Sequence, residues 1–125
     1  MRTAGDVRDD ATLGSLEYAV EHLGVPLVVV IGHDSCGAVN AAVKDGEALG
    51  HISALIEAIT HSVEKAKTNW EDADLLNRSI DINTQSIVSQ LKSTEPILSE
   101  AVNEGKLKIV GTRYHLDNGT VTLMD

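Results

Sequence analysis

The sequence predicts an α/β protein with a mostly parallel β-sheet flanked by helices. Leu27 to Ile31 is an unbroken, largely β-branched apolar run, which is typical of a parallel strand buried on both faces. Segments with helical spacing of apolar residues lie on both sides of this run, and a strand–turn–strand pattern closes the chain. The 125 residues are short enough that we expect one domain, residues 1–125.

The first helix is expected from about Leu13 to Leu23. Asp10 or Thr12 is a suitable capping residue, and Gly24 follows as a helix stop. After the apolar run, a second helix is expected to begin at Cys36 and to end around Lys44 to Gly46.

Three further helices follow in the prediction. One starts after Gly50 and ends before a polar break at Lys65–Asn69. A long one begins after a cap within Asn69–Asp72 and runs to about Lys92. A short one lies between Pro96 and Gly105.

The carboxyl-terminal segment predicts a β-hairpin. Leu107 to Tyr114 forms one strand, Asp117-Asn-Gly119 the tight turn and Thr120 to Met124 the returning strand.

Charge and cysteine content exclude several classes of function. Ten basic and nineteen acidic residues give a net charge of −9, which argues against nucleic acid or an anionic membrane as a partner. The single cysteine excludes an internal disulfide and suits a reducing compartment. No signal peptide and no apolar run near the roughly 18 residues of a membrane helix is visible. These features predict a cytoplasmic protein.

His33 and Cys36 are the candidate metal ligands. They follow the buried strand directly, at the carboxyl end where open α/β sheets place their ligands. Asp34 or Ser35 is expected to cap the helix that follows. Two donors do not complete a zinc site, and a small cysteine in the first turn of a helix is often part of the core. The spacing alone therefore leaves open a metal site or a satisfied histidine beside an inert cysteine.

Several segments together resemble the β-class carbonic anhydrases. They are Arg2-Thr-Ala-Gly-Asp6, the stretch from Ala11 to Val39 that ends in Gly32-His-Asp-Ser-Cys-Gly-Ala-Val39, Asn77 in a late helix, Glu95-Pro-Ile-Leu98, and the hairpin from Ile109 to Val121. The resemblance covers nearly the whole chain. The family's upstream Cys-x-Asp-Ser-Arg segment has no counterpart here.

The resemblance implies a zinc-dependent fold in which two cysteines and one histidine hold the metal. His33 and Cys36 match the histidine and the second cysteine of that set. The first cysteine and the water-orienting Asp–Arg pair are absent, so no catalytic residue can be identified in this chain. In the fold that the resemblance implies, this segment is a central strand, and its loss would leave one edge of Leu27–Ile31 unpaired. We therefore expect that a second copy, in a homodimer or higher homo-oligomer, or the Met1–Asp10 arm covers that edge.

Three hypotheses remain open on the sequence. The first is a carbonic anhydrase that interconverts carbon dioxide and bicarbonate, completed by sequence not present here, with this chain alone weak or inactive. The second is a catalytically inactive pseudoenzyme or interaction protein. The third is a dimer in which His33 and Cys36 of two chains form a shared Cys₂His₂ zinc site.

Overall fold

The computed structural model of the protein describes residues 1–68 and 74–124. A short 3₁₀ helix at Ala4–Asp6 precedes the regular elements. The α-helices are α1 (Asp10–Leu23), α2 (Gly37–Lys44), α3 (Ile52–Lys67), α4 (Leu75–Lys92) and α5 (Ile97–Asn103). The strands are β1 (Leu27–His33), β2 (Lys108–Tyr114) and β3 (Val121–Met124).

The strands form one mixed sheet in the order β1-β2-β3. β1 and β2 are parallel, with Leu27 opposite Lys108 and His33 opposite Tyr114. β2 and β3 form the predicted antiparallel hairpin. The α/β class is confirmed, although only one of the two strand pairs in the described sheet is parallel. β1 lies at an edge, as expected for a sheet without its central strand.

One face of β1 packs on helix α4, and the other face is open. Val30 is buried, whereas Leu27, Val29 and Ile31 are 48%, 41% and 48% exposed. The expectation that this strand is covered on both faces is therefore wrong for the described chain. An apolar run shows that both faces of a strand suit burial, but it does not show where the second covering layer comes from.

Two glycines allow α4 to lie close against the sheet. A Cβ atom at Gly32 in β1 would collide with the hydroxyl oxygen of Thr84. A Cβ atom at Gly111 in β2 would lie 3.3 Å from a methyl carbon of Val88. The close approach of α4 fixes the carboxyl end of β1, where the candidate metal ligands lie.

The arm before α1 is attached to α4 and does not pair with β1. The Asn83 side-chain amide donates a hydrogen bond to the Gly5 carbonyl, at 2.9 Å. Among the described residues, the sheet hydrogen bonds of β1 go to β2 alone. The expectation that residues 1–10 could cover the free edge by pairing with it is therefore not met.

The predicted helix ends agree with the structure better than the predicted helix starts do. Gly24 ends α1 in the left-handed conformation, with φ at 67°. The cap of α1 is Asp9, whose carboxylate accepts a hydrogen bond from the Thr12 backbone N–H at 2.7 Å, so the assignment to Asp10 or Thr12 is wrong. Helix α3 continues to Lys67, through most of the predicted break at residues 65–69. The cap expected within Asn69–Asp72 lies outside the described residues.

The core has two clusters that meet at α4. The first joins the sheet to α4 and α5, and the second joins α2 and α3 to the first half of α4. Their buried members are Val30, Ile87, Val88, Leu91, Leu98, Leu107 and Ile109 in the first, and Cys36, Val39, Ala42, Ile59, Val63 and Ile80 in the second. In the part of the chain that the structure describes, no helix is long and apolar enough to cross a membrane.

Candidate metal centre

His33 and Cys36 lie on one turn at the carboxyl end of β1. His33 is the last residue of the strand, and Cys36 occupies the position just before α2. Both residues line a groove of about 1120 Å³ that follows the free edge of β1, and the Met1–Asp6 arm lines its other side. The structure thus places the two predicted ligands together at the end of one groove.

The two donors differ in their surroundings. Cys36 is only 6% exposed and packs in the second core cluster. His33 is exposed, and its Nδ1 lies 2.9 Å from the Asp34 carbonyl oxygen. Because a carbonyl oxygen can only accept, this hydrogen bond requires the proton on Nδ1. The lone pair of the neutral ring is then on Nε2, which leaves that nitrogen able to bind a metal.

Asp34 does not cap helix α2, and Ser35 does not either. The residue at the cap position is Cys36, and no side chain makes a capping hydrogen bond there. Ser35 has a φ of 54°, in the left-handed region, because the chain reverses there between the strand and the helix. The Asp34 carboxylate is instead engaged by groups from the hairpin, so the cap prediction is wrong at both residues.

Arg113 is the centre of the polar network behind the turn. Its side chain is 9% exposed, and its Nε donates to an Asp34 carboxylate oxygen at 2.8 Å. Its Nη1 donates to an Asp81 carboxylate oxygen at 2.8 Å, and its Nη2 donates to the Asn77 side-chain oxygen at 2.7 Å. A residue of β2 therefore ties the metal-ligand turn to α4.

The second carboxylate oxygen of Asp34 faces the start of the hairpin loop. It accepts a hydrogen bond from the Leu116 backbone N–H at 3.2 Å and lies 3.4 Å from Nδ1 of His115. The hydrogen bond from Arg113, together with that from Leu116 and the charges of Arg113 and His115, holds the pKa of Asp34 below its ordinary value. Asp34 is therefore an ionised and fully engaged side chain.

Asp6 is an acidic residue that lines the opposite wall of the groove. Burial raises the pKa of its carboxyl, and the charge of His33 acts in the other direction. It does not complete a ligand set, because no group of three or more His, Cys, Asp or Glu residues within the described ranges could hold a metal ion. Imidazole and thiol suit zinc, but zinc sites use at least three protein donors, and this chain presents two.

Comparison with known proteins identifies the family. A family model described as carbonic anhydrase matches residues 1–121. Carbonic anhydrase 2 of Mycobacterium tuberculosis is 42% identical over 132 aligned positions, which span 100% of this chain and 61% of that protein. The carbonic anhydrase of Mycolicibacterium smegmatis is 41% identical over 130 positions, which span 98% of this chain and 61% of that protein.

Solved structures give the same result for the fold. A β-carbonic anhydrase of Coccomyxa, in complex with acetazolamide, superimposes with a TM-score of 0.84 at 26% identity, over 99% of this chain and 59% of that one. One of two tetrameric β-carbonic anhydrases of Sordaria macrospora superimposes with a TM-score of 0.86 at 23% identity, over 99% of this chain and 66% of that one.

The fold and the His–Cys turn at the strand end define an α/β protein built around a candidate metal site. The chain belongs to the β-class carbonic anhydrase family. It spans about three fifths of the length of the curated relatives named above. The resemblance inferred from the motifs is confirmed, and so is the shortness of the chain relative to the family.

The part played by Arg113 and Asp34 was not predicted from the sequence. One signal was available, since Arg113 is a lone charged side chain near the end of an otherwise apolar or small-residue run from Ile109 to Thr112. A charged residue on the helix-packed face of a strand needs partners, and Asp34 lies in the turn that follows the neighbouring strand. The strand register was needed to bring the two together.

Proposed function

We propose that this chain carries the histidine–cysteine half of a carbonic anhydrase zinc site and that the remaining ligand comes from outside these 125 residues. The observation that carries the proposal is the convergence of His33 and Cys36 on one groove that holds no third donor among the described residues. The substrates would be carbon dioxide and bicarbonate, as in the family.

The chain's own residues have definite parts in this proposal. His33 would bind the metal through Nε2, and Cys36 through its sulfur. Zinc, when bound, supplies the positive charge that makes a water molecule acidic enough to attack carbon dioxide. The Asp34–Arg113 pair does not replace the missing Asp–Arg pair of the family, because both Asp34 carboxylate oxygens already have partners in the network. Hydration by this chain alone is therefore expected to be weak or absent.

We favour this divided site over the shared Cys₂His₂ site. A shared site requires two Cys36 sulfurs to approach one ion, and Cys36 is 94% covered within its own chain. An inactive pseudoenzyme remains the alternative if the pair binds no metal.

Zinc binding tests the proposal directly. Calorimetric titration of the metal-free chain should show weak binding that is lost in His33→Ala and in Cys36→Ser. His61→Ala is the matched control, because it removes an exposed histidine on α3. Equal binding by all four proteins would mean that the pair is not the metal site. Carbon dioxide hydration by the zinc-loaded chain should stay at the buffer rate, and clear catalysis would show that the donors are complete.

We further propose that the chain forms a homo-oligomer through the open face of its sheet. Leu27, Val29 and Ile31 of β1 share this face with Val121 and Leu123 of β3, which are 55% and 60% exposed. Apolar side chains on two strands of this sheet form a patch of the kind that marks interfaces. One solved neighbour, the Sordaria protein, is described as tetrameric.

Sedimentation velocity tests the interface. Val29→Lys should shift the chain toward monomer, because it places an unpaired charge within the patch. Leu49→Lys changes a leucine that is 80% exposed in the loop between α2 and α3, and it should leave the mass unchanged. A wild-type monomer, or equal masses for Val29→Lys and the wild type, would contradict the proposed interface.

We also propose a cytoplasmic location. The support for it is the single cysteine, which is free and buried, and the absence of a membrane-spanning helix within the described part. The net charge of −9 supports the further proposal that neither nucleic acid nor an anionic membrane is a partner.

A further inference from the structure

Asp34, in the turn that carries His33, makes hydrogen bonds through its backbone N–H, its carboxylate and its carbonyl. Its backbone N–H donates to the Tyr114 carbonyl at 3.1 Å, which extends the β1–β2 pairing one step beyond the strand. Its carboxylate is held by Arg113 and by the Leu116 N–H. Its carbonyl oxygen accepts from Nδ1 of His33 at 2.9 Å. Side chain and backbone of Asp34 are thus both engaged.

The hydrogen bond from His33 Nδ1 to the Asp34 carbonyl affects how the ring can bind a metal. A free imidazole can place its proton on either ring nitrogen, and an exposed ring can rotate. Histidines that bind metals are generally fixed by a hydrogen bond from the other nitrogen to a carbonyl or carboxylate. In this chain the Asp34 carbonyl takes that place, and it can do so only while the turn keeps its shape.

The shape of the turn depends on Arg113. Ser35 adopts a left-handed φ of 54°, which is unfavourable for a residue with a Cβ atom, so the turn needs outside support. Arg113 supplies it, because its Nε holds Asp34 while its Nη1 and Nη2 are anchored to Asp81 and Asn77 on α4. The guanidinium is nearly buried, so water competes little for these hydrogen bonds.

We propose that Arg113 and Asp34 are positioning residues that hold the His33 ring with its proton on Nδ1 and with Nε2 free to bind a metal. This inference rests on the proposed function, since it assigns His33 the role of a metal ligand. Neither Arg113 nor Asp34 touches the metal in this scheme. They act through the turn, and they raise the metal affinity of a pair that is short of donors.

Nuclear magnetic resonance of the metal-free chain tests the ring directly. Two-bond ¹H–¹⁵N correlations of His33 should show the Nδ1–H tautomer in the wild type at a pH where the ring is neutral. Arg113→Gln and Asp34→Ala should shift His33 toward the tautomer mixture of a free imidazole. A mixed tautomer in the wild type would contradict the proposal, and so would an unchanged signal in both variants.

Cobalt binding provides the second measurement. Titration with Co²⁺, followed by the sulfur-to-cobalt charge-transfer absorption, should show affinity about 10-fold or more weaker in Arg113→Gln and Asp34→Ala, the range typical when the partner of a metal-binding histidine is lost. Asp10→Asn is the matched control. It removes an exposed carboxylate in the first turn of α1, on a different element from this network, so the affinity should stay unchanged.

The cobalt titrations distinguish the metal site at His33 and Cys36 from the positioning role of Arg113 and Asp34. If His33→Ala and Cys36→Ser also leave cobalt binding unchanged, the proposed metal site is wrong. If those two variants abolish binding while Arg113→Gln and Asp34→Ala match the wild type, the metal site stands and the positioning role is wrong. Should Arg113→Gln fail to fold, Asp34→Ala decides alone, because Asp34 lies in a surface turn.

Discussion

Gly32→Ala should destabilise the protein, because this glycine is where β1 touches α4. An added Cβ atom would collide with Oγ1 of Thr84 and would lie 3.5 Å from a methyl carbon of Ile80. Thr84 is 1% exposed and donates a hydrogen bond to the Ile80 carbonyl at 3.0 Å, so its hydroxyl cannot rotate away freely. Overpacking costs about 1–3 kcal/mol. Loss of the Thr84 hydrogen bond adds about 1 kcal/mol.

A partial gain opposes this cost. Replacing glycine by alanine stabilises the folded protein by about 0.4–1 kcal/mol, because alanine lowers the conformational entropy of the unfolded chain. The expected net loss in the free energy of unfolding is therefore about 1–3 kcal/mol, measured by urea denaturation. Gly37→Ala is the matched control. It lies in the first turn of α2 with nothing within 4 Å of the added atom, and it should be neutral or stabilising.

A double-mutant cycle isolates the contact. In a Thr84→Ala background the hydroxyl is gone, so Gly32→Ala should cost less than in the wild type, with a coupling energy of about 1–3 kcal/mol. Additive effects in the cycle would show that the close approach of β1 to α4 is not what requires glycine at position 32. A Gly32→Ala variant as stable as the wild type would show that α4 leaves room for a Cβ atom at position 32.

Two further predictions concern stability. Asp9→Ala should lower the free energy of unfolding at pH 7, because it removes the hydrogen bond that the Asp9 carboxylate accepts from the Thr12 N–H. The same hydrogen bond holds the pKa of the Asp9 carboxyl below the ordinary value of 3.8. The effect is present above that value and fades as the pH falls through the lowered pKa, and an effect that is the same at pH 7 and in acid would contradict it. Leu98→Ala should cost about 2–5 kcal/mol, since Leu98 is 1% exposed in the first core cluster, and a cost no larger than that of Leu49→Ala would contradict this packing.

The regular elements were largely predictable because their signals are local. Gly24 and Gly105 mark helix ends, and both adopt a positive φ that favours glycine. The hairpin follows from residues that lie next to one another, although its loop spans residues 115–120 and is longer than the tight turn predicted at Asp117–Gly119. Helix starts were harder, because Asp9, Asp10 and Thr12 are all suitable caps by type and only the backbone geometry decides among them.

The candidate site was predictable only in part. His33 and Cys36 follow from a short motif at the end of one strand, and the structure places them together. The role of Asp34 was not accessible, because it depends on Arg113, which is 79 positions away along the chain. As a cap candidate Asp34 matched a local pattern, but a buried guanidinium on the adjacent strand competes more strongly for its carboxylate.

The open face of β1 shows a different limit. Val29 and Ile31 have the residue types of a strand buried on both sides, and the described chain covers one side. Sequence patterns record the environment of the assembled protein, which includes any partner. The mismatch between pattern and exposure at these two residues therefore agrees with the proposed interface between copies.

The zinc content of the purified chain decides whether its ligand set is complete. It is measured by elemental analysis after passage through a metal-free column, together with the mass in solution. A site with two donors, His33 and Cys36, predicts almost no retained zinc, since such a pair holds the metal too weakly to survive the column. One retained zinc per chain would contradict the divided site by showing a complete ligand set within these 125 residues. Half a zinc per chain in a dimer would contradict it in favour of the shared site.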